Sequence, residues 1–183
     1  MRVLTFVIAF LIVTTLVSST NAQGPTAQVD ISCTPGEIFL DSFPDSPNNT
    51  TIVNCIMNNP TSSEEKVELN GSGDDVLEID LIDGNEFIIP AGGSVDANVS
   101  ITVVEGTTYA TYSLSFTASV TELAGMPPPN SATDSVNILA TVNQYESYVA
   151  TYDSPLNFTV VLSDQTQNVW DSITVSNNGN YES

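Results

Sequence analysis

The residues with most chemistry in them are Cys33, Cys55 and a crowd of carboxylates: Asp74, Asp75, Glu78, Asp80, Asp83 and Glu86. No histidine accompanies them. Two distant cysteines without histidine cannot complete a tetrahedral zinc set, and they do not form a C-x-x-C redox pair. An even cysteine count in a chain with a secretory leader predicts a disulfide between Cys33 and Cys55. Closing a loop of about 20 residues would stabilise the fold by about 3 kcal/mol in the chain-entropy model.

Oxygen-rich loops suit calcium, and Asp83, Asn85 and Glu86 are the candidates here. Their spacing departs from the Asp-x-Asp-x-Asp-Gly loop, and Glu78 and Asp80 are explained as the solvent face of a strand. No metal or cofactor is therefore expected. Five asparagines stand in Asn-x-Ser/Thr sequons: Asn48, Asn49, Asn70, Asn98 and Asn157. Asn98 is expected to face outward on a strand, and Asn48, Asn49 and Asn70 to lie in loops.

Catalysis finds little to work with. Without histidine there is no Ser-His-Asp or Cys-His arrangement, and Lys66 alone makes no phosphate clamp. Paired carboxylates hydrolyse glycosides only inside a cleft. Carboxylates on turns and outward strand faces provide none, so no enzyme and no catalytic residue is expected.

Charge narrows the partners. With 22 acidic and 2 basic residues the chain carries a formal charge of −20. Such a surface repels phosphate backbones and anionic lipid, which excludes electrostatically driven binding to nucleic acid or membrane. At the N-terminus Met1-Arg2, an apolar run from Val3 to Val13, and small residues ending at Ala22 describe a secretory signal peptide over 1–22. An uncleaved anchor is the alternative. No second apolar run of membrane length follows. The expected location is secreted, extracellular or cell-surface.

Positioning these residues falls to alternating segments. Val95, Ala97, Val99, Ile101 and Val103 alternate with polar residues. After Glu105-Gly106 so do Ala110, Tyr112, Leu114, Phe116, Ala118 and Val120. This period of two predicts two half-buried strands of an antiparallel sheet. Shorter strands are predicted at Val29–Cys33, Thr51–Met57, Lys66–Leu69, Leu77–Leu81, Phe87–Ile89 and Val136–Val142, with a short apolar piece at Glu37–Leu40. Cys33 and Cys55 both point inward. Seven or eight short strands with no helical period read as an all-β, Ig-like Greek-key β-sandwich over 24–143.

The order of Asn58-Asn59-Pro60-Thr61, Val67-x-Leu69, Ile89-Pro90-Ala91-Gly92-Gly93-Ser94 and Tyr112-x-Leu114-x-Phe116-x-Ala118 resembles a known group. These are the immunoglobulin-like or fibronectin-type-III-like modules of secreted archaeal and bacterial surface proteins, including the bacterial cell-adhesion-related domain. The resemblance covers about Val29 to Val142 and implies a spacer or adhesion unit. It departs from the antibody pattern, because the bridge would join the first two strands and the lone Trp170 lies outside the module. Tyr112 is in place either for a tyrosine corner or for ordinary core packing.

The tail, 144–183, repeats the theme. Ile173-Thr174-Val175-Ser176-Asn177-Asn178-Gly179-Asn180 lies against Val53-Asn54-Cys55-Ile56-Met57-Asn58-Asn59-Pro60, and Leu156–Leu162 reads as an earlier strand. A partial second module, or a C-terminal strand extension, is expected, in an N-terminal piece of a longer tandem-domain protein. The leading function is a secreted or surface structural and adhesion module, with other surface proteins or copies of itself as partners. The alternative is a filament or pilus-like subunit in which Leu156–Leu162 completes a neighbour's sheet edge. A carbohydrate-binding module ranks third, since only Trp170 and scattered tyrosines could stack on sugars.

Overall fold

The structure, a computed structural model, describes residues 26–151 and 173–180. The leader, Asn157, Trp170 and the Leu156–Leu162 segment lie outside the described residues. Nine strands form the sandwich: β1 (Asp30–Thr34), β2 (Glu37–Leu40), β3 (Thr50–Asn58), β4 (Glu65–Ser72), β5 (Leu77–Leu81), β6 (Glu86–Ile89), β7 (Ser94–Val103), β8 (Thr111–Leu123) and β9 (Thr133–Val142). A separate antiparallel pair follows, β10 (Tyr148–Thr151) with β11 (Thr174–Asn177).

One sheet runs β1-β3-β7-β5 and the other β2-β9-β8-β4-β6. The first is the A-B-E-D order of immunoglobulin domains, and β9-β8-β4 is their G-F-C order. The domain is an Ig-like Greek-key β-sandwich. Alternation along each strand turns one apolar face inward. Val53, Cys55 and Met57 on β3 and Val99 and Ile101 on β7 meet Leu114, Phe116 and Ala118 on β8 and Ile138, Ala140 and Val142 on β9, all fully or almost fully buried. Each buried Leu, Ile, Val or Phe contributes about 1.5–3 kcal/mol relative to exposure.

Two expectations are corrected by the tertiary structure. The two long strands at the centre of the sequence, β7 and β8, belong to opposite sheets and are not paired with each other. Each has one apolar face, and alternation alone cannot tell a neighbour in one sheet from a facing strand across the core. Asn70 lies on β4, not in a loop, paired with Thr117. The run Asn70-Gly71-Ser72-Gly73 has turn composition, yet Gly71 is needed inside the strand. A Cβ there would stand 2.9 Å from Ile79 Cγ2 and 3.0 Å from Phe116 Cε1.

Thr34-Pro35-Gly36 ends β1, and the chain then changes sheets, so β2 pairs in parallel with β9. The outer edge of the N-terminal segment is closed by side chains from the other sheet and its loops. Asn130 brackets Ala27, accepting from its N–H at 3.0 Å and donating to its carbonyl at 3.1 Å. Glu65 Oε1 accepts from Gln28 N at 3.0 Å, and Asp134 Oδ2 from Ile31 N at 2.9 Å. Such contacts blunt an edge that would otherwise invite pairing with another chain.

Candidate functional site: the joint between sandwich and C-terminal strand pair

A dense polar constellation gathers at one end of the sandwich, where the chain leaves β9 and where β11 returns. Asn180, three residues past β11, is buried there, as are Ser42 and Thr107. Its Nδ2 donates to Asn143 O at 2.8 Å, to Thr107 O at 3.1 Å and to Ser42 Oγ at 3.2 Å. Its Oδ1 accepts from Tyr145 N at 2.8 Å. Its backbone is held as well: Tyr109 N donates to Asn180 O at 3.1 Å, and Asn180 N donates to Tyr145 O at 3.3 Å. Ser42 Oγ donates to Thr107 O at 2.8 Å, tying the two loops that receive Asn180.

A second layer supports the first. Asp41 accepts from Asn143 Nδ2 at 2.8 Å, from Asn48 Nδ2 at 3.1 Å and from Ser46 Oγ at 3.2 Å. The Asn143 amide, followed by that of Asn48, holds the Asp41 carboxyl below the usual carboxylate range. Phe43 meets Tyr145 edge to face, with ring centroids 5.9 Å apart. Segments around 41–48, 107–109, 143–145 and 178–180 thus interlock, although the sequence separates them by up to 138 residues.

The residues singled out in the sequence fall elsewhere. Cys33 and Cys55 are bonded and stand directly opposite each other on β1 and β3, with a Cα–Cα distance of 4.0 Å. The bridge lies within one sheet, with Cys55 in the core. Tyr112 forms a tyrosine corner: near the start of β8, its hydroxyl donates to Thr108 O at 3.0 Å, four residues upstream.

The calcium candidates are not brought together. Asp83 Oδ2 accepts from both Asn98 N, at 2.8 Å, and Asn98 Nδ2, at 3.0 Å. Asn85 leans 3.5 Å from Glu68, and Glu86 pairs with Lys66 Nζ at 3.0 Å, which raises the lysine's pKa. Of the sequon asparagines, Asn98 is half-buried and held by Asp83 and Asn54. Asn48 is exposed but bonded to Asp41, Asn49 is half-buried with its Oδ1 accepting from Thr50, and Asn70 is exposed on β4.

Sequence reasoning missed Asn180, Ser42, Thr107 and Asn143, since small polar residues in loops carry no periodic signal. It also missed Glu65, fully buried at the start of β4 with Oε2 lacking a hydrogen-bond partner. Burial pushes this carboxyl's pKa up.

No protein-family model matches the chain, and no curated protein matches it in sequence. Solved structures resemble it at low identity. A FixG-related protein from Vibrio parahaemolyticus has a TM-score of 0.45 and 11% identity, over 63% of this chain and 95% of that one. PapD-like domain 7 of human CEP192 has a TM-score of 0.44 and 11% identity, over 72% and 95%. Native alpha-2-macroglobulin from Escherichia coli, from domain MG7 to the C-terminus, has a TM-score of 0.47 and 15% identity, over 71% of this chain and 19% of that one. These scores carry nothing about function. The Ig-like assignment rests on the strand order itself.

Proposed function

We propose that the chain is a non-catalytic structural module of a secreted or cell-surface protein, a spacer or adhesion unit whose sandwich is followed by a second unit of the same plan. The observation that carries this reading is the pairing of β10 with β11. With Val53–Pro60 laid against Ile173–Asn180, Val175 falls on Cys55 and Asn177 on Met57. Their partners are Ala150 and Tyr148, in the places where Cys33 and Ile31 pair in the first unit. An antiparallel pair at this place, with Ala150 and Val175 at the position of the bridge, supports a second start of the same plan.

A short basic start, an apolar run and small residues support export, and the Cys33–Cys55 bridge suits an oxidising compartment. The acidic coat favours other surface proteins or copies of this chain as partners over nucleic acid or membrane. The filament alternative depends on Leu156–Leu162, outside the described residues, and no observation favours it.

Fractionation of the source cells, with an antibody raised against residues 26–143, tests this. The protein is expected in the medium or on the surface, within reach of protease added outside intact cells. Recovery in the cytosol alone, protected from that protease, overturns the reading.

A further inference from the structure

We infer that Asn180 is the pin of a rigid joint, so that the sandwich and the β10–β11 pair turn as one body. This holds whatever the module is used for. The pocket suits a carboxamide in particular. Asn143 O needs a donor, Ser42 Oγ and Thr107 O can each take one, and Tyr145 N needs an acceptor; one neutral carboxamide supplies both kinds. An aspartate would set a negative charge against two carbonyl oxygens in a buried place, and alanine would leave Asn143 O and Tyr145 N without the carboxamide.

The backbone beside the pin is fitted to the same contact. A Cβ on Gly179 would stand 2.6 Å from Tyr145 O and 3.1 Å from Glu146 Cα, so the glycine lets 178–180 lie flat on the segment leaving β9. Asn178 N adds a 2.7 Å bond to Ser147 O. Among the described residues, the strand pair buries no side chain of its own against the sandwich. All eight of its residues are exposed, Val175 to 63% and Tyr148 to 59%. Two isolated strands are marginal in water. Among the described residues, their order and direction therefore depend on the pin and its pocket.

Amide hydrogen exchange and residual dipolar couplings on the full chain test this. In the wild type, couplings from β3, β7, β10 and β11 are expected to fit one alignment tensor. In Asn180→Asp, protection at 148–151 and 174–177 is expected to fall at least tenfold, with β10–β11 requiring its own tensor while β3 and β7 amides stay protected. Unchanged protection in the variant, or two tensors already in the wild type, overturns the inference. Should Asn180→Asp disturb β3 and β7 too, Gly179→Ala decides. Its Cβ would stand 2.6 Å from Tyr145 O, and a selective loss at the strand pair supports the pin, whereas no loss there overturns it.

Discussion

Asp41 accepts a 2.8 Å hydrogen bond from Asn143 Nδ2 across 102 residues of chain, and the same Asn143 offers its carbonyl to Asn180 Nδ2 at 2.8 Å. One carboxylate therefore steadies, through one asparagine, the contact on which the C-terminal strand pair is hung.

That relay predicts a loss of stability in acid. The amides donated to Asp41 favour its charged form, so its folded-state pKa lies below its unfolded value. A depressed carboxyl contributes stability that is present above the unfolded pKa and lost as pH falls through the folded one. In denaturant unfolding, wild type is expected to exceed Asp41→Asn in stability at neutral pH, with the difference shrinking on acidification. A pH-independent difference contradicts this.

Glu65 predicts the opposite slope. Burial raises its folded-state pKa, partly offset by the bond from Gln28 N. The native state then holds this proton more tightly than the unfolded chain, and stability falls as pH rises from the unfolded pKa through the folded one. Relative to Glu65→Gln, wild type is expected to lose stability over that window and then to level off. Parallel stability–pH curves for the two proteins would sink the idea.

The Cys33–Cys55 bridge closes a sequence separation of 22. Replacing both cysteines by alanine is expected to lower the unfolding free energy by about 3 kcal/mol. The variant keeps the β-sheet far-ultraviolet spectrum, because the bridge joins strands that are already hydrogen-bonded neighbours. Equal denaturation midpoints for variant and wild type would show that the bridge contributes nothing.

Much of the sandwich was legible in the chain because burial imposes period two. Val95 to Val103 and Leu114 to Val120 could alternate only as strands with one face in the core, and Cys55 shared phase with Val53 and Met57. The joint was not legible. Ser42, Thr107, Asn143 and Asn180 are ordinary loop residues, and their value lies in donors and acceptors supplied by distant segments.

By itself, then, the sequence determined an all-β chain with a solvated acidic exterior and one cysteine pair, since local alternation, composition and cysteine count are properties of neighbours along the chain. Tertiary structure alone decided that β7 and β8 fall in opposite sheets, that Gly71 makes room for Phe116 inside β4, and that Asn180 finds its pocket. Those outcomes depend on which surfaces meet in space. An amide that is unremarkable in a loop becomes a fastening once three chain segments close around it and water is excluded.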